Sequence, residues 1–331
     1  MNYPTIATIP FAHPMGNLSS YMSSGKLQPI LFPNPPNDFS WGNPEVGQYF
    51  LHITQSMKDI ERDKLKPFIK DNFGFPAPNN RFMWLVSQQS YCPTIISHAS
   101  NMVFNPHLTV FFQQAELANQ INVNFSSVPE YLAYKYNEFQ GALLLSQAGL
   151  KAKNEKKVVN QQITEQKKYF NKILSLHGQS NGIFLEIPCL FDYGAKPLKP
   201  LTLDEQEKKF VEVARQFLRD LKGGWSFKQK SCYLFWRTVK GFDGMGILQI
   251  MFYVVGEAAD YHVEINEIWE LTCLSKKFHL QKNQMRIRSS HCYDGNGIVG
   301  NEWKQLIERY QIPLEFYRYE SNGFDWKWQP Y

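Results

Sequence analysis

The stretch that most constrains this chain is Ile247–Val255, a nine-residue run, apolar but for Gln249, that stops at Gly256. It is too short to cross a bilayer, and its β-branched and aromatic content fits a buried central strand better than a helix. Just before it, Cys232–Val239 is aromatic and β-branched, and Gly241–Gly246 holds three glycines and an Asp. Together these predict a hairpin over residues 231–256, around which the C-terminal half is built.

The 331 residues suffice for two domains or one large one. No apolar run reaches the ~18 residues of a membrane span, and the N-terminus has no basic stretch before its apolar residues, so neither a membrane anchor nor a signal peptide is expected. Five scattered cysteines without a CxxC pair read as reduced thiols of a cytoplasmic protein. The net charge of +5 is uneven. Residues 1–150 carry 8 Lys+Arg against 9 Asp+Glu, whereas the remainder carries 27 against 21. That excess suits a polyanionic partner of the second half.

Residues 1–44, with eight prolines, read as an extended arm. Glu45–Phe73 has helical periodicity interrupted by Pro67, Asn72–Asn80 is a turn, and Arg81–Ser87 and Leu108–Phe112 read as short strands. Pro129–Gly149 is a helix capped by Ser126 or Ser127 and stopped by Gly149. Lys151–His177 is a long polar helix with seven lysines up to Lys172, either a solvated face or a phosphate-tracking one. Ile183–Phe191 is a strand whose Pro188 calls for an edge or a bulge. Thr202 and Glu205 form a capping box before an amphipathic helix with Phe210, Val213, Phe217 and Leu221 on one stripe, ended by Gly223–Gly224. After the hairpin come a helix near Asn266–Leu274, a basic segment, a Gly/Asn loop at 294–300, a helix at Asn301–Arg309 and an aromatic tail. The tail reads as a hydrophobic strap closing the sheet. The expected division is 1–150 (a mainly helical N-terminal region), 151–178 (a linking basic helix) and 179–331. The order β–α–β–β–α–(β) in the last predicts an α+β domain with an antiparallel, ferredoxin-like sheet.

The ordered set YFNKILSLH, FLEIPCLFDY, LTLDEQEKKFVEVARQFLRDL, CYLFWRTV, ILQIMFYVVG, EINEIWELT and GNGIVGNEW, over about Lys168–Arg309, resembles the replication-initiation proteins of filamentous phages and their prophage-borne relatives (inovirus-type, YagK/YfjJ-like). The resemblance implies an HUH-nickase-like fold. In such a site a His-x-His pair on one strand face and an acid hold Mg or Mn, and a tyrosine attacks the scissile phosphate. The pair corresponds here to Ile247 and Gln249, or to Leu248 and Ile250 in the neighbouring register. The acid after the aromatic strand start corresponds to Thr238, and the pair on the first strand to Glu186 and Pro188. The resemblance therefore implies a degenerate initiator without a cofactor, which binds single-stranded or hairpin DNA in a phage, prophage or mobile-element context.

Lys276, Lys277, Lys282, Arg286 and Arg288, extended by Arg237 and Lys240, are the candidate nucleic-acid-binding residues, because cations neutralise phosphates. An active nickase is the alternative, drawing on Glu186, on His279 and His291 as weak metal ligands, and on Tyr310 or Tyr317 as nucleophile. A protein–protein module on a former nickase scaffold, with its partner on the N-terminal half, is the third reading. Phosphate-loop and HExxH motifs are absent.

Overall fold

The computed structural model describes residues 44–92, 101–120, 127–178, 181–188, 202–229, 233–240, 246–255, 259–276, 286–289, 298–321 and 323–331. The chain divides into two units, Met1–Val158 with Pro313–Tyr317, and Val159–Ile312 with Arg318–Tyr331.

In the first unit α1 spans Pro44–Glu61. Phe50, Ile53, Met57 and Ile60, three and four residues apart, are all fully buried, so one stripe of the helix forms the core. The expected continuation to Phe73 fails. The chain turns at Asp63, which has a left-handed φ of 56°, and Pro67 leads into the antiparallel hairpin β1 (Phe68–Lys70) and β2 (Pro76–Pro78). Two expected strands are helices. Asn80–Ser87 is α2, capped by the Asn79 side chain, which accepts from Arg81 N at 3.0 Å; Phe82, Leu85 and Val86 face inward at helical spacing. After β3 (Met102–Phe104), Pro106–Gln120 is α3, with Leu108, Phe111, Phe112 and Ala115 buried. A window of five to seven residues does not separate a period of 2 from one of 3.6, and the caps decided both cases.

Helix α4 spans Val128–Ser146 with Ser127 as its cap. Its stop is Gln147, left-handed at φ 51°, not Gly149. Gly149 instead lies inside α5 (Ala148–His177), where its N–H donates to Glu61 Oε1 at 2.8 Å. The core of this unit is aromatic: Phe111 stacks on Phe139, and Phe50 meets Phe104, Phe112 and Tyr317 edge-on.

The second unit is built on a five-stranded sheet in the order β7–β4–β6–β5–β9, with every neighbouring pair antiparallel. The strands are β4 (Asn181–Pro188), β5 (Tyr233–Lys240), β6 (Gly246–Val254), β7 (Arg286–Ser289) and β9 (Gln329–Pro330), with β8 (Tyr317–Tyr319) preceding the last. All nine residues of β6 are buried, as its apolar run requires. β4 is an interior strand, contrary to the reading of Pro188. The proline is its last residue, opposite Ile247 and two positions beyond the final partner in β7, so its missing N–H costs no ladder bond there.

One sheet face carries Ile183, Leu185, Leu248, Ile250, Phe252, Leu234 and Trp236. Against it lie α6 (Leu203–Gly223), α7 (Trp225–Gln229) and α8 (Ala259–Ser275). Thr202 and Glu205 form the expected capping box, and Phe210, Val213, Ala214, Phe217, Leu218 and Leu221 are all fully buried. Phe217 meets Trp269 of α8 at 4.8 Å, and Phe227 of α7 meets Phe252 at 5.3 Å. The opposite face carries Phe184, Met251, Tyr253 and Phe235, covered by Tyr169 and Phe170 of α5 and by Trp303 of α9 (Ile298–Arg309). The tail closes the sheet edge. Phe324, Trp326 and Trp328 are buried and β9 pairs with Phe235 and Trp236.

Candidate functional site

Side chains alternate along a strand, so polar residues in register on adjacent strands form a row across one face. Glu186 of β4 stands opposite Gln249 of β6, and Gln249 opposite Arg237 of β5. All three are buried. The Gln249 amide bridges them: its Nε2 donates to Glu186 Oε1 at 2.8 Å, and its Oε1 accepts from Arg237 Nε at 2.7 Å.

The guanidinium is enclosed on its other sides as well. Nη1 donates to Gln311 Oε1 at 2.7 Å and to the Trp326 carbonyl at 3.4 Å, and Nη2 donates to the Tyr310 carbonyl at 2.9 Å. Its plane lies over the Trp328 ring, 4.3 Å from the centroid. Burial pulls the group down to about 9, opposed by the Glu186 carboxylate, so it is a cation at neutral pH. Phe184 stacks on Tyr310 at 3.6 Å and meets Trp328 edge-on, shutting this end of the face from water.

This is the face where the resemblance asks for a metal. Ile247 shares it with Gln249, while Leu248 and Ile250 face α6–α8, so both registers fail to bring two ligands together. The donors that remain do not fit Mg or Mn. A hard cation needs several open oxygens, but the Gln249 oxygen is held by Arg237, and the guanidinium already supplies the positive charge. Thr238 lies on the opposite face, where its N–H donates to the Asp325 carbonyl and its hydroxyl accepts from Asp325 N at 2.8 Å. It anchors the tail. Among the described residues no three His, Cys, Asp or Glu converge as a ligand set.

Arg237 and Lys240 must be withdrawn from the expected nucleic-acid surface, because both are buried. Lys240 pairs with Glu207 of α6 at 2.7 Å and lies 4.1 Å from the Tyr319 ring centroid, while Tyr319 Oη donates to the same Glu207 oxygen. Each cation is satisfied within the protein and offers no charge to a phosphate. Tyr310 and Tyr317 are buried too, Tyr310 beneath Phe184 and Tyr317 against Phe50, so neither presents a nucleophile. Glu186 is shut in the same row. Lys276 is half-buried and paired with Glu212 at 2.9 Å, which holds the Glu212 carboxyl below its usual range. Arg286 and Arg288 stand in β7 opposite Glu186 and Phe184. Lys277, Lys282, His279 and His291 lie outside the described residues.

The sequence reading missed the row itself. Its signal was present: Glu186, Gln249 and Arg237 each interrupt a run of apolar residues in their strand. Gln311, the Tyr310 carbonyl and Trp328 come from far along the chain and left no such mark.

The first unit has its own buried polar cluster. His107 Nε2 faces Glu61 Oε2 at 3.0 Å, and its backbone N–H donates to Asn105 Oδ1. Burial pulls the imidazole below its usual value, against the opposing pull of Glu61.

No family model matches the chain, and no curated protein or solved structure matches it. Among the described residues no helix is long and apolar enough to cross a membrane.

Proposed function

We propose that this chain binds DNA on a replication-initiator-like scaffold without nicking it, in the cytoplasmic setting of a phage, prophage or other mobile element. The observation that carries the reading is the Glu186–Gln249–Arg237 row. In this reading, a buried and fully hydrogen-bonded guanidinium occupies the sheet face on which a nickase would need an exchangeable divalent cation and an open phosphate path. The strand order β7–β4–β6–β5, with α6 joining β4 to β5 and α8 joining β6 to β7, supports a ferredoxin-like core of the HUH type. DNA binding is supported by the sequence resemblance and by exposed lysines such as Lys168 and Lys172 on α5.

The test is titration of single-stranded and hairpin DNA across a salt series, with Mg²⁺ or Mn²⁺ present, followed by denaturing electrophoresis. Binding that weakens steadily with salt and leaves no covalent adduct is the expected result. A covalent adduct, or no binding at low salt, overturns the proposal.

A further inference from the structure

Among the described residues of the first unit, the two most exposed aromatic side chains sit together at the tip of the β1–β2 hairpin. Phe73 is 85% exposed and Phe75 68%. The tip that carries them is tightly built. Asp71 Oδ1 accepts from both Phe73 N and Phe75 N at 2.8 Å, Asp71 N donates to the Phe75 carbonyl, and Gly74 N donates to the Asp71 carbonyl at 3.0 Å. Gly74, at φ 84°, supplies the left-handed turn between the rings. At the base, Asn79 N donates to the Pro67 carbonyl and Leu65 is buried, so the hairpin is anchored to its unit. A mobile loop that merely failed to bury two phenylalanines would not spend a carboxylate and four hydrogen bonds on fixing their backbone.

Residues 61–71 carry four cations interspersed with the acids Glu61, Asp63 and Asp71. Arg62, Lys64, Lys66 and Lys70 are exposed along the approach to the tip. The acids among them are engaged: Asp63 accepts from Tyr136 Oη at 2.7 Å and pairs with Lys66, and Asp71 is taken by backbone amides. Fixed aromatic rings beside lysines that track a backbone are the elements from which single-stranded nucleic acid is bound, since every unpaired base offers a π-face.

Two other occupants fit less well. In a bilayer the Asp71 carboxylate, at the leading edge with Phe73, would have to follow the rings out of water. Strand addition by a peptide is blocked on β2, where Pro76 and Pro78 offer no N–H.

We infer that the Phe73–Phe75 hairpin stacks on unpaired bases while Lys64 and Lys70 meet the adjoining phosphates. For its partner class this rests on the DNA-binding reading above. It adds a location in the half of the chain where net charge gave no hint of one.

The test uses the full chain and its Phe73→Ala/Phe75→Ala variant. Anisotropy is measured with a labelled oligo-dT and with a duplex, quenching with an oligonucleotide carrying 2-aminopurine, and sedimentation with phosphatidylcholine–phosphatidylserine vesicles. The circular dichroism and melting temperature of the variant should match the parent, because both rings are in water. The expected result is a loss of about five-fold or more per ring in affinity for the single strand, with loss of 2-aminopurine quenching and little change on duplex. Salt-dependent DNA binding that the variant retains in full overturns the hairpin inference and leaves the DNA reading standing. No DNA binding by the parent overturns both. Vesicle binding that is lost in the variant while DNA binding is unchanged also overturns the inference.

Discussion

Replacing Arg237 by Met removes the donors and charge of the buried row but keeps most of the aliphatic volume. Four hydrogen bonds go, to Gln249, Gln311 and the carbonyls of Tyr310 and Trp326, and Trp328 loses the cation on its face. These losses do not add. A large part of the cost falls on the buried Glu186 carboxylate, which loses the guanidinium coupled to it through Gln249. Breaking a buried charge pair from one side costs about 3–5 kcal/mol. For a unit of this size that corresponds to a fall of ~6–20 °C in the melting temperature. The assay is near-UV circular dichroism on heating, because Trp326 and Trp328 report the packing of the row. Adding Glu186→Gln to the Met variant should restore part of the loss, by ~1 kcal/mol or more, since the stranded charge is then gone. A Met variant that melts within ~2 °C of the parent, or a double variant that is simply additive, would refute the idea that the row is an electrostatic unit.

Gly182→Ala should lower stability by ~1–3 kcal/mol, because a Cβ there falls against the buried Trp303 ring well inside van der Waals contact; chemical denaturation measures it. Thr202→Ala breaks the capping box of α6 and should cost about 1 kcal/mol in the same experiment, without changing the denaturant slope. His107 binds its proton less readily when folded than when unfolded. The unfolded chain therefore takes up more protons as pH falls below the ordinary histidine value of about 6.5, and stability declines through that window down to the folded value. His107→Gln should flatten the melting temperature between pH 7 and 5.5; an unchanged slope would remove His107 as its source. His52 and His262 shift in the same direction, so some slope should persist in the variant.

What could be read from the residues was whatever short-range physics decides. The nine-residue apolar run had to be a strand covered on both faces, and β6 is one. The capping box and the Phe210–Leu221 stripe fixed α6 because each depends on neighbours within a few residues. Arg81–Ser87 and Leu108–Phe112 were misread because such short apolar windows carry no decisive period. The caps at Asn79 and Asn105, and partners distant in sequence, made them helices.

The candidate site divided in the same way. The sequence showed that β6 carries no histidine, since residue identity is local. It also placed Arg237 and Lys240 on a basic surface, since charge is normally solvated. Only the tertiary structure turned both inward. Register set Arg237 beside Gln249, the tail brought Trp328 beneath it, and α6 brought Glu207 to Lys240. Burying a cation is affordable only where partners converge from several elements, and that convergence is a property of the fold. The sequence by itself determined that β6 carries no His, Cys, Asp or Glu. The structure decided that the Arg237 guanidinium is buried against Gln249, Gln311 and the Trp328 ring, and that Phe73 and Phe75 stand exposed on a turn of the first unit.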